Sequence, residues 1–185
     1  MTEPLPAASA WVRRWSHLVP TGARVLDVAC GSGRHVRWFA ERGAIVTGVD
    51  RDVAATQPLA GIAEIVVADI EGGPWPFSAR QFDAVVVTNY LWRPLLPALV
   101  QSVAPGGVLI CETFAIGNET VGKPSNPNFL LRPGELLHAV QDLRVLAFED
   151  GFEAAFPRFV QRIVAVRGTP GSPQPARYEL AGSGG

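Results

Sequence analysis

What the chain has little of narrows its class before any motif is read. It has only two cysteines, Cys30 and Cys111, among 185 residues. They fall on two different expected strands, so they read as small buried residues of a reducing compartment rather than a disulfide framework. The three histidines, His17, His35 and His138, have no metal-ligand spacing, and no metal site is expected. His35, just behind a glycine turn, is expected only to cap or to face solvent. The C-x-x-C, nucleophile-elbow and P-loop patterns are missing. No apolar run approaches the ~18 residues that suggest a membrane span. The start, M-T-E-P-L-P-A-A-S-A, has no basic segment followed by an apolar one, so no signal peptide is expected and a cytoplasmic protein is the default. A formal net charge of −1 gives no global field toward nucleic acid or an anionic membrane, and neither is an expected partner.

What is present is enough for one folded domain. Hydrophobic residues make up 48% of the chain, too many for a disordered polypeptide. The domain is placed at residues 1–168, and the Gly, Pro and Ser-rich stretch 169–185 is expected to be a disordered tail. Residues 9–19 have helical spacing, with Trp11, Trp15 and Leu18 or Val19 on one face and Ser9 as N-cap. That helix either packs on the sheet or closes over a ligand as a lid.

The most informative stretch is Val25 to Asp50. Val25, Leu26, Val28 and Ala29 form the short apolar run of a strand buried on both faces. Gly31 and Gly33 break it. Gly33 to Arg42 then has helical spacing, with Val36, Phe39 and Ala40 on one face and Gly43 as a C-cap glycine. A second strand, Ile45 to Asp50, ends on an acid. Such a βαβ half binds nucleosides: glycines let the backbone approach a ligand, helix N–H groups point at it, and the second acid accepts bonds from a ribose diol. The NAD fingerprint needs a third glycine, but Val36 stands there. An acid before the turn, Asp27, would repel a pyrophosphate and suits an ammonium or sulfonium instead.

Further strands are expected at 63–68, 82–88, 108–112, 143–149 and 159–167. Helices are expected at 93–103 and 135–141, and a turn at Pro105–Gly107. Residues 71–81 read as loop, which removes the usual helix between the third and fourth strands. The last two strands are joined too closely for a helical crossover and must be antiparallel. The fold class is α/β: a doubly wound, Rossmann-like, seven-stranded, mostly parallel sheet with one antiparallel strand near its edge.

V-L-D-V-A-C-G-S-G-R resembles the first motif of the class I S-adenosylmethionine (SAM)-dependent methyltransferases, and the segments after strands four and five look like small bacterial tellurite-resistance-like members. The resemblance implies SAM as cofactor and methyl transfer to a small molecule, since no inserted recognition domain is seen. It also implies site residues. Gly31 and Gly33 would line the homocysteine part, with Asp27 near its ammonium, and Ala29, Cys30 and Ser32 in the same turn would also be cofactor-binding. Asp50 would hold the ribose and Asp69 the adenine amino group. Arg51 and Ile70 would sandwich the base. Asn89 and Tyr90 would lie by the reacting methyl, as positioning groups, with Asn89 also touching the cofactor. Under the lid reading, Arg13 or Arg14 would reach the methionine carboxylate. Alternative readings are a non-catalytic SAM-binding domain and an NAD-linked oxidoreductase. Oligomeric state is not written in the sequence. The long irregular segment 113–131 is expected to fold over the cofactor and wall the acceptor, or else to be a surface loop packed by Phe129 and Leu130.

Overall fold

Apolar side chains on both faces of β4 (Phe82–Thr88) set the layering of the molecule, which is described from a computed structural model covering residues 6–171 and 176–180. Val85 and Val87 join one core cluster, while Ala84 and Val86 join another on the opposite face. A strand that points valines both ways has to lie between two layers. Around it the sheet order is β3-β2-β1-β4-β5-β7-β6. The other strands are β1 (Arg24–Val28), β2 (Ile45–Asp50), β3 (Glu64–Val67), β5 (Val103–Phe114), β6 (Arg144–Glu153) and β7 (Arg158–Val166). The first five run parallel, and β7 is antiparallel to both its neighbours, β5 and β6. The expected reversed strand is therefore β7, one in from the edge.

One layer carries α1 (Ala10–Trp15) and α2 (Arg34–Ala40). Trp11, Val12 and Trp15 are buried with Val25, Val36, Phe39 and Val164. Each such burial contributes about 1.5–3 kcal/mol. α1 is thus a core helix. Its N-cap is Ser9, whose Oγ accepts from the amides of Trp11 and Val12. The other layer holds α4 (Leu96–Gln101) and α5 (Glu135–Ala139). In place of a helix between β3 and β4, the rings of Trp75, Phe77 and Phe82 stack edge to face at 5.1 and 5.5 Å and cover that flank. A short α3 (Val53–Thr56) follows β2.

Several boundaries differ from the sequence reading, most of all around β5. β5 begins at Val103, not Val108, because Val103 pairs with Phe82 before the register shifts to Ala84–Val108. Pro105–Gly107 is an irregularity inside the strand, held by Gly106 and Gly107 bonding to Arg167. The helix expected at 93–103 is consequently cut back to α4 and a 3-10 turn at Arg93–Leu95. His35, expected to cap or face solvent, is 2% exposed. Of the expected tail, 172–175 and 181–185 lie outside the described residues. Within 176–180, Tyr178 packs beside the α1-side core and the Glu179 carbonyl lies 3.0 Å from His17 Nε2. Among the described residues, no helix is long and apolar enough to cross a membrane.

Candidate functional site

The C-terminal ends of β1, β2, β3 and β4 converge where the strand order reverses, which is where open α/β sheets bind ligands. A cavity of about 190 Å³ opens there, lined by Ala29, Asp50, Arg51, Ala68, Asp69, Ile70, Glu71 and Tyr90. It is smaller than a pocket for a whole cofactor, about 300 Å³ or more, and suits the nucleoside end of one.

Backbone geometry explains how the acids are held. Gly31 and Gly33 both have positive φ, at +52° and +78°. The Gly31 amide donates to Asp50 Oδ2 at 2.8 Å, and the Asp52 amide donates to Oδ1 at 2.9 Å. The carboxylate is thereby fixed, and each oxygen keeps a lone pair for a ribose hydroxyl. Asp69 Oδ1 takes the amides of Glu71 and Gly72, and these bonds hold its carboxyl below the usual range. Its Oδ2 is left for a further donor. Gly33 serves packing more than ligand approach, because a Cβ on it would overlap the Leu59 side chain.

Asp27 is the unusual group. It is 1% exposed, and its Oδ2 has no hydrogen-bond partner among the described residues. Burial raises its carboxyl to about 7, partly offset by the positive charge of Arg34. Beside it, His35 Nδ1 is 3.9 Å from Asp27 Oδ1. His35 is no counter-ion: burial, with Arg34 nearby, pushes it down to about 3. Its Nε2 accepts from the Ser9 amide at 3.2 Å, which assigns the proton to Nδ1. A buried orphan carboxyl under a glycine turn fits a ligand bearing an ammonium or a nearby sulfonium.

The remaining expected residues divide. Ala29, Asp50, Arg51, Asp69, Ile70 and Tyr90 line the cavity together. Cys30 does not: its thiol is buried toward β2, where a Cβ on Gly48 would lie 2.9 Å from Sγ. Burial, with the charge of Asp27, pushes that thiol up to about 12, leaving it inert. Ser32 is exposed on the turn. Asn89 is exposed just beyond β4, with φ +54° and its amide donating to the Glu112 carbonyl. Tyr90 packs against the core and also reaches the cavity; its hydroxyl has no hydrogen-bond partner among the described residues, and burial with the Glu71 charge pushes its pKa up. Arg14 is committed elsewhere, over the rings of Trp11 and Trp15 and to Glu149 at 3.3 Å. Neither it nor Arg13 lines the cavity.

Segment 113–131 does not line the cavity either. Leu130 and Leu131 bury it, whereas Phe129 stays 44% exposed. Asn118 clamps it, donating to the Pro124 carbonyl and accepting from the Phe159 amide. Arg93 ties its end down through the carbonyls of Asn128 and Leu130. These observations favour the packed-loop reading over the lid.

Sequence reasoning missed two features. One is Arg34, whose Nη2 donates to Thr88 Oγ1 at 3.3 Å at the end of β4. The motif G-S-G-R held the signal. The other is the buried ion pair of the strand-end residue Glu112, 1% exposed, which receives Arg162 Nε at 2.5 Å and the Ser9 hydroxyl at 3.0 Å.

Ala29 is strained, a non-glycine residue at φ +54°. The left-handed region costs such a residue roughly 1–2 kcal/mol. Ala29→Gly removes that strain and adds about 0.4–1 kcal/mol of unfolded-state entropy. Urea denaturation is expected to show a stability equal to or slightly above wild type. A clear loss would mean the Ala29 methyl is a packing group.

Comparison with known proteins agrees with this geometry. The family model described as methyltransferase domain matches residues 25–107. The malonyl-[acyl-carrier protein] O-methyltransferase of Salmonella typhimurium is 31% identical over 157 residues, 71% of this chain and 61% of that protein. The tRNA U34 carboxymethyltransferase of Hahella chejuensis is 29% identical over 136 residues, 66% of this chain and 40% of that protein. This chain therefore spans less than two thirds of the length of these relatives. Among solved structures, TehB from Haemophilus influenzae superposes with a TM-score of 0.67 at 17% identity, covering 86% of this chain and 62% of that one.

Proposed function

We propose that this chain, which belongs to the class I SAM-dependent methyltransferases, binds SAM across the β1–β2–β3 strand ends and transfers its methyl group to a small-molecule acceptor. SAM, when bound, supplies an electrophilic methyl on a sulfonium. The residues of the chain bind, orient and exclude water. Asp50 accepts from the ribose hydroxyls. Asp69 Oδ2 and the Ile70 backbone meet the adenine edge, with Arg51 against its face. Ionised Asp27 faces the ammonium from beneath the turn. Asn89 and Tyr90, beyond β4, position the acceptor. An in-line displacement asks mainly for alignment, and it needs a general base only where the acceptor is protonated at neutral pH.

The observation that carries the reading is a nucleoside-sized cavity bounded by Asp50 and Asp69 at the strand ends, with the buried Asp27 Oδ2, unpartnered among the described residues, two positions before Ala29 of its lining. Relatives act on malonyl-[acyl-carrier protein], on tRNA U34 and on ribosomal protein L11, by their names. The small-molecule acceptor rests instead on the net charge of −1 and on a sheet without an inserted recognition domain. A cytoplasmic setting is proposed on the two buried free cysteines.

The test is calorimetry with SAM and S-adenosylhomocysteine, with NADH as control, followed by an acceptor panel. Both sulfur nucleosides are expected to bind and NADH not. Asp50→Ala is expected to lose about 1.5–3 kcal/mol of affinity while folding normally. Binding of NADH alone would sink the reading, and unchanged SAM affinity in Asp50→Ala would remove Asp50 from the ribose.

A further inference from the structure

We propose that the outer edge of β6 pairs with the same edge of a second copy of this chain, antiparallel about a two-fold axis, so that two sheets join into one. β6 is the last strand of the sheet, and among the described residues its backbone bonds only toward β7. In an antiparallel ladder alternate residues direct N–H and C=O away from the partner strand. The ten residues of β6, Arg144–Glu153, thus present a long row of donors and acceptors along one side. The opposite edge, β3, has four residues, and shortness is one common protection against edge pairing. β6 lacks that protection and contains no proline or lysine.

The register of β6 makes it complementary to itself. Arg144 pairs with Val166 and Val145 with Ala165; Leu146 is then skipped, and Ala147 pairs with Val164. Across that bulge Val145 stays on the face of Phe152, because their partners Ala165 and Phe159 both belong to the α4–α5 side of the core. Arg144 and Glu153 lie on the other face with Glu149. Two-fold pairing centred on Glu149 sets Arg144 opposite Glu153 and Val145 opposite Phe152, and symmetry makes each contact twice. Val145 and Phe152 are 38% and 51% exposed in one chain, so the pairing covers apolar surface and opposes unlike charges. Ala147 meets Gly151 and Phe148 meets Asp150. The two Glu149 carboxylates meet on the axis, each already flanked by Arg14 at 3.3 Å and Arg162 at 3.2 Å. The neighbouring registers are poorer. Moving the axis to Phe148 sets Val145 against Asp150, and moving it to Asp150 opposes two aspartates and leaves Arg144 without its partner.

The experiment is sedimentation equilibrium on the full chain, followed by cross-linking. Wild type is expected to show a concentration-dependent equilibrium between one and two chains. Val145→Lys puts an ammonium on the edge and is expected to stay a single chain, with a wild-type circular dichroism spectrum reporting that it is folded. Arg144→Glu opposes two carboxylates twice and is expected to raise the dissociation constant about tenfold, while Arg144→Lys keeps it near wild type. Glu149→Cys is expected to link two chains on mild oxidation, faster than Phe148→Cys or Asp150→Cys, the native cysteines being buried. A wild type that stays a single chain at every concentration overturns the pairing. So does a two-chain species that both Val145→Lys and Arg144→Glu leave intact, or faster linking through Phe148→Cys or Asp150→Cys.

Discussion

Exchanging Asp27 for asparagine is expected to raise the melting temperature of the ligand-free protein at pH 8 and to cost most of its affinity for SAM. The carboxyl moves from 3.8 to about 7 on folding, first through burial and less through the nearby charge of Asp50, against the opposing charge of Arg34. The native state therefore holds a proton that the unfolded chain releases near pH 4. Stability from this group is complete below that point and is lost as pH rises toward 7. Above pH 7 the folded protein carries a buried carboxylate, at a cost on the order of 4 kcal/mol before relaxation. Asparagine has nearly the same shape and no charge, so its advantage appears at high pH and vanishes at pH 4. A cationic ligand reverses the preference, because it stabilises the ionised form. Binding of SAM by wild type is expected to tighten from pH 6 to pH 8 and to release protons, and in Asp27→Asn to be weaker by about ten- to a hundredfold and flat with pH. Buffers of different ionisation enthalpy read the proton release directly. A variant with unchanged affinity and an unchanged pH profile would mean that Asp27 never meets the ligand.

This trade of stability against binding explains why the site was partly legible in sequence. Acid, glycines and second acid stand in one strand–turn–helix–strand unit, so local spacing alone brings Asp27, Gly31 and Asp50 together. The Gly31–Asp50 bond at 2.8 Å is that spacing made physical. The apolar runs of β1, β2 and β4 were legible for the same reason, since burial on both faces leaves no other pattern. The Cys30 thiol turns toward β2 and not into the cavity, because a residue past a strand end points to either face and only the sheet decides which. β5 was misread because Pro105–Gly107 has turn chemistry, while long-range pairing with Phe82 and Arg167 overrides it. Segment 113–131 looked like a lid because nothing local announces that Asn118 meets Phe159, 41 residues away.

Glu112→Ala is expected to destabilise the fold by about 3 kcal/mol, the lower end of what breaking a buried ion pair costs. Glu112 is 1% exposed at the end of β5 and gathers groups from three directions. Arg162 on β7 reaches it at 2.5 Å, Arg158 at 3.5 Å, and the Ser9 hydroxyl at 3.0 Å. Truncation strips Arg162, whose side chain is only 14% exposed, of its shortest partner. The loss stays at the lower end because Glu153 and Glu149 still hold the guanidinium at 2.7 and 3.2 Å. Ser9 loses an acceptor too, although its oxygen still caps α1 through Trp11 and Val12. The charge itself is not what the fold needs. Paired replacement by apolar groups of similar volume, Glu112→Leu with Arg162→Met, removes both desolvation costs, leaving Glu149 and Glu153 with Arg14 and Arg158 as more exposed pairs. The double variant is therefore expected to be more stable than Glu112→Ala in urea denaturation, by about 1 kcal/mol or more. If Glu112→Ala lies within measurement error of wild type, the cluster is no more than a set of surface pairs.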